Sequence, residues 1–338
     1  MRCAKKLLRK KKNESWAMRP RPNRSDSRSW RKLVMRNRPI WFVVFSLVSA
    51  ACSLRAQDAV TSTSTDQEET AESEPVVVSA TRFDIPLDQS PASVTVITSE
   101  DLEQKQIERV SDALREVPGL SVVQTGTAGQ LTSVFMRGLP SQDMQVLLNG
   151  IPINQGLAGQ FDFANLMTDD IDRIEVVRGP QSTLYGPRAL AGVIQIFTKR
   201  GNGPPTITLN SEVGSYDTFR EWSQSDGKID NFDYSVGASR LDTDNARPNN
   251  NYRNTAGIAD VGWSPNEQLR IGSLFTYSVS DTGNPNTIFD PRLIDHFLTE
   301  RWLIAPNVDW KATHWWEHNL IFAYDHERQI NDPNQDGF

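Results

Sequence analysis

Cysteine is nearly absent: only Cys3 and Cys52 occur in 338 residues. Both lie in an N-terminal segment expected to be removed on export, which excludes a disulfide framework for the mature chain. Long apolar runs are lacking as well. The most apolar stretch, IWFVVFSLVSAA at residues 40–51, is shorter than the ~20 residues a membrane-spanning helix needs. With Arg36 and Arg38 ahead of it, Met35 as an internal start and Ala56 before Gln57 behind it, it reads as the core of a signal peptide. Cys52 as a lipid-anchored first residue is the other reading of this boundary, although Ser49 stands where an aliphatic residue is usual. Histidine is scarce, with four in all. The closest approach to a zinc-hydrolase motif, HWWEH at residues 314–318, does not place its Glu directly after His314 and sits in what reads as a strand turn, so metal hydrolysis is not expected there. A Gly-rich phosphate loop and an activated nucleophile are likewise missing. Excess positive charge is confined to the extreme N terminus. The first 39 residues hold 15 of the 36 Lys/Arg and two of the 42 Asp/Glu, leaving 21 bases against 40 acids in the rest. An acidic body repels phosphate backbones, so nucleic acid is excluded as a partner.

What is present falls into five stretches. Residues 1–56 are the N-terminal extension and signal peptide. Residues 57–73, rich in Ser, Thr and acids, bury too little apolar surface to offset their ordering entropy and form a flexible linker. The stretch 74–80, Glu74, Pro75, Val76, Val77, Val78, Ser79 and Ala80, favours extended backbone. It is either an edge strand of the next domain or a strand kept free for the sheet edge of a partner. Residues 81–203 mix short strands such as SVTVIT with two short helices, for which Ser99 and Ser111 are the expected N-caps. Asn149-Gly150 signals a hairpin. Residues 204–338 alternate apolar and polar positions in about seven segments, near 206–213, 217–225, 231–241, 253–263, 268–280, 300–310 and 318–329. Connections alternate between tight and long, as in an outer-membrane barrel; a soluble β-sandwich is the competing architecture. Trp263, Trp310, Trp315 and Trp316 fall beside the tight turns, where an interfacial aromatic girdle sits.

The ordered series EPVVVSA, PASVTVIT, ALREVPGLSV, GQLTSVFMRG, VLLNGIPIN and IDRIEVVRGPQSTLYGPRALAGVIQIFTK, followed by strands, closely resembles the TonB-dependent outer-membrane transporters over about residues 74–338. The resemblance implies an α+β plug domain followed by the first strands of an antiparallel transmembrane β-barrel, the barrel of that family having about 22 strands. About seven strands cannot enclose such a plug, so the chain is expected to be a C-terminally truncated part of a longer barrel, ending in an external loop. The resemblance also implies that segment 74–80 is the TonB box, captured as an added strand by the periplasmic domain of TonB, and that Arg137 and Arg178 pair with the barrel wall.

QTGTAGQLTSVFMRG and NQGLAGQFDF look most like the cobalamin-receptor branch, although Asn149 stands where that branch usually has Asp. By that likeness Gln124, Gly126, Gln130, Leu131, Asn154, Gly156, Leu157 and Gln160 face the ligand. Cobalamin is favoured and a ferric siderophore is the alternative, with a glycan or another chelate also open. No cofactor is expected, and Asp242 and Asp244 are the weak candidates for calcium. The expected setting is the outer membrane, in contact with its lipid. Two other classes stay open: a secreted two-domain β-rich enzyme, which would not need a leash-borne strand, and a signal-relaying receptor, which would carry a further folded domain ahead of segment 74–80.

Overall fold

In the computed structural model, residues 76–77, 79–83, 85–154, 159–285 and 294–332 are described. The chain from β1 (Val76–Val77) and β2 (Ile85–Pro86) onward first builds a small α+β unit. Its central sheet has the order β3-β8-β9-β6-β7, from β3 (Ser93–Thr98), β6 (Met144–Leu148), β7 (Ile151–Pro152), β8 (Ile171–Arg178) and β9 (Gly192–Thr198). The pair β6 and β9 is parallel and the other neighbours are antiparallel. A separate hairpin joins β4 (Leu120–Gln124) to β5 (Thr132–Met136).

Helix α1 (Ser99–Gln104) is capped one residue earlier than the sequence suggests. The Thr98 hydroxyl accepts from the Asp101 N–H at 3.2 Å, and the Asp101 carboxylate accepts from the Thr98 N–H at 3.0 Å. This reciprocal pair satisfies donors that a cap at Ser99 would leave open, and it holds the Asp101 carboxyl below its usual range. Helix α2 (Val110–Arg115) starts at Arg109 without a side-chain cap; Ser111, the expected cap, is buried inside it. Asn149 and Gly150 have φ of 48° and 83°, the pair of left-handed residues that a two-residue hairpin turn requires. The Asn149 amide also uses both its ends on Thr198, donating to its hydroxyl at 2.7 Å and accepting from its N–H at 3.0 Å. An Asp at this position would lack the donor.

Beyond residue 204, eight strands form one antiparallel sheet: β10 (Thr206–Gly214), β11 (Thr218–Ile229), β12 (Phe232–Thr243), β13 (Tyr252–Asn266), β14 (Leu269–Pro285), β15 (Ile294–Thr313), β16 (Trp316–Ile321) and β17 (Tyr324–Asp332). The last segment read as one strand is two. Both β16 and β17 pair with β15, with Phe322 and Ala323 between them.

The polarity of this sheet is inverted relative to a water-soluble protein. Along β12, Asp233, Ser235 and Ser239 are buried, whereas Phe232 and Val236 on the opposite face are 46% and 45% exposed. Ile271, Phe275 and Ile304 are also exposed on that outer face, and Leu274, Leu303 and Ala305 on the inner one join the core of the α+β unit, with Val134, Met136, Val146, Ile174 and Ile194. A sheet that is polar toward its interior and apolar outside suits a lipid exterior and a filled lumen. Trp263, Trp310, Trp315 and Trp316 lie at the tight-turn end; Trp315 stacks on Trp316 at 5.9 Å and Trp310 on His318 at 5.7 Å. Trp310 and His318 face each other across β15 and β16. His314 and His318 are thus separated by a strand turn and do not share a helix face.

Candidate functional site

The valine-rich segment does not stand free. Val76 pairs with Pro86 and Val77 with Ile85, and Val77, Ser79 and Ala80 are buried. The Ser79 N–H donates to Glu175 Oε2 at 2.8 Å and its hydroxyl to Gln195 Oε1 at 3.0 Å. Glu175 is fully buried on β8 and also accepts from Arg173 Nε at 2.9 Å. A buried carboxylate must be matched by donors, and the ribbon supplies one of them. The edge-strand alternative therefore describes this conformation better than the free-strand one. Glu74, Pro75 and Val78 lie outside the described residues.

Arg137 and Arg178 are near each other, on either side of Gly119. The Arg178 guanidinium donates to Pro118 O at 2.9 Å. Among the described residues neither arginine has a carboxylate partner on the strands. The charged seam between the α+β unit and the sheet is built from residues the sequence reading passed over. Arg220 on β11, nearly buried, pairs with Asp169 of the α+β unit and with Glu212 at 2.9 Å, and has Glu108 at 4.0 Å. Arg301 on β15 donates to Ile153 O at 2.6 Å, pairs with Asp325 at 2.6 Å and lies 5.4 Å from the centre of the Phe161 ring. Beside Asp169, Asp170 presses on the sheet where Gly237 leaves room; a side chain at Gly237 would overlap the carboxyl group. Burial first, and Asp169 second, push the Asp170 carboxyl up to about 7 against a smaller opposing effect of Lys199.

At the long-loop end the predicted ligand-facing residues divide. Gln124 closes the loop on itself, donating to Thr127 O at 2.6 Å. Gln130 donates to Gly283 O on β14 at 2.8 Å and so holds the wall. Asn154 is 1% exposed and donates to Met144 O and Gly159 O at 2.9 and 3.2 Å. In this conformation its amide is taken up inside the fold by those bonds. Leu131 and Gly126 are exposed, as is Gln160, which donates to Ser133 Oγ at 2.6 Å. Gly156 and Leu157 lie outside the described residues. Of the calcium pair, Asp242 is engaged by Arg240 at 2.8 Å and Arg253 at 3.8 Å, and Asp244 is exposed. Among the described residues no cluster of three or more His, Cys, Asp or Glu is gathered for a metal ion.

A sheet apolar on its outer face and polar on its inner face holds a small α+β unit against that inner face through the buried Arg220–Asp169 pair, the arrangement of a plug seated on a barrel wall. The comparisons agree. Residues 86–193 match the TonB-dependent receptor plug domain, and the chain carries that plug followed by antiparallel strands like those of such a receptor's barrel. It is 38% identical over 154 residues to the vitamin B12 transporter BtuB of Vibrio cholerae, which covers 46% of this chain and 25% of the relative. The chain thus spans about a quarter of the length of the curated relative it matches. Among solved structures, the outer-membrane ferripyoverdine receptor of Pseudomonas aeruginosa superposes with a TM-score of 0.65 at 17% identity, over 74% of this chain and 36% of that one. The alcaligin outer-membrane receptor FauA of Bordetella pertussis gives 0.63 at 17%, over 76% and 42%. These two likenesses speak to the fold alone.

Proposed function

We propose that this chain belongs to a TonB-dependent outer-membrane transporter that binds cobalamin at the cell surface and releases it into the periplasm. The observation that carries the ligand is the 38% identity to a vitamin B12 transporter over 154 residues. An outer membrane has no nucleotide supply and no sustained ion gradient, so the work of uptake comes from the inner membrane through TonB, which grips segment 74–80 as an added strand. Export follows from the signal-peptide core at residues 40–51. We assign no cofactor to the transport step, since Asp242 is already held by two arginines. The reading is that of a transporter and not of an enzyme, and what supports it is the likeness to a plug domain and to a transporter.

The test is uptake of labelled cyanocobalamin by cells that lack their own cobalamin receptor and produce the full-length gene product. Nanomolar binding with TonB-dependent uptake supports the reading. Failure to bind cyanocobalamin, with uptake of a ferric chelate instead, would move the protein to the siderophore branch, to which its fold neighbours belong.

A further inference from the structure

The plug loop at residues 125–131, between β4 and β5, is tied to the sheet wall by side chains that the sequence reading left unassigned. Asn250, 2% exposed, donates its amide to the Thr127 hydroxyl. Asn245 donates to Ala128 O at 3.3 Å and to Asn250 O at 2.6 Å. From β14, Thr282 donates to Gly129 O at 3.3 Å. Gly129, with φ of 83°, lies so close to the fully buried Tyr252 ring that any side chain there would overlap it, and the Tyr252 hydroxyl donates to Asn165 Oδ1 at 2.9 Å. Asn245 and Asn249 themselves adopt left-handed backbone, so the connection at residues 244–251 is a shaped loop with an exposed tip and a buried root.

We propose that Asn250 is a positioning residue: it locks plug loop 125–131 to the root of surface loop 244–251, so that the two loops present one preformed surface to the ligand. The proposal rests on the ligand-binding reading above. Preorganisation of this kind acts on affinity by removing the entropy of ordering two loops at the moment of binding.

The test uses the full-length gene product in detergent. Hydrogen exchange compares the amides of residues 125–132 and of β8 and β9 in wild type and Asn250→Ala, and cyanocobalamin affinity is measured on both. The expected result is faster exchange confined to residues 125–132, with binding weakened about 3- to 10-fold, the loss of one net hydrogen bond. Combining it with Thr127→Val adds little further loss, since both changes cut the same bond. Unchanged exchange in the loop overturns the proposal, as does a loosened loop with undiminished affinity. If wild type does not bind cyanocobalamin, the cobalamin reading fails by itself, and the exchange result alone decides the lock.

Discussion

Ser79 donates its backbone N–H to the carboxylate of Glu175 at 2.8 Å, across 96 positions of sequence. The bond fastens the N-terminal ribbon to the central sheet of the plug at a site with no exposure on either residue.

Replacing Glu175 by Ala removes the acceptor and leaves Arg173 without one of its carboxylates. The ribbon is expected to loosen while the plug stays folded. Limited proteolysis and exchange at residues 79–83 should both rise, and a purified TonB periplasmic domain should bind the unliganded receptor more tightly. Unaltered protection of Ser79 would show that Val77 and Ala80 hold the ribbon without help from the carboxylate.

The Asp170 carboxyl, raised to about 7 by burial and by Asp169, gives the plug a pH dependence of defined sign. The folded state holds the proton more tightly than the unfolded chain, so stability is greatest below the ordinary carboxylate range. It declines as pH rises from about 4 to about 7 and is flat above. The full effect of such a shift is about 4 kcal/mol. Urea unfolding of the plug between pH 4 and pH 8 should show this decline, and Asp170→Asn should flatten it. An equal slope in the variant would place the titration elsewhere.

Arg220→Ala should cost about 3–5 kcal/mol, because it strands Asp169 in a seam where both side chains are nearly inaccessible. Adding Asp169→Asn should return a large part of the loss, since most of it is an uncompensated buried charge. The resistance of the barrel and plug to heat in detergent reports both numbers, and additive losses in the double variant would deny the pairing.

Deleting residues 76–78 from the full-length receptor should leave cyanocobalamin binding within about twofold while uptake falls to the level of a strain lacking TonB. Persistent uptake would remove segment 74–80 from energy coupling. Since Val77 is buried in the docked form, an exchange measurement on the plug sheet should accompany it.

The barrel strands were legible because a period of two is written directly into which residues are apolar, and lipid demands that the outer row be the apolar one. The Asn149-Gly150 turn was legible because two left-handed residues in succession restrict the residue types allowed. The bonds of Asn154 were not legible for a related reason: an Asn in a glycine-rich loop looks the same in sequence whether its amide points outward or, as in this conformation, back to Met144 and Gly159. The split of the last strand at Phe322 and Ala323 was not legible, because the pattern continues across a break that only pairing with β15 reveals.

By itself the sequence determined the order of the described parts: a ribbon, a plug and a run of strands with one apolar face. Each of these is a matter of local composition and backbone period. The partners across the seam, Arg220 with Asp169, Arg301 with Ile153, and Asn250 with Thr127, were decided only by the tertiary structure. Which side chains meet there depends on how the strands are staggered and how the plug seats against them. That geometry is set by the whole assembly of contacts and is carried by no single stretch of chain.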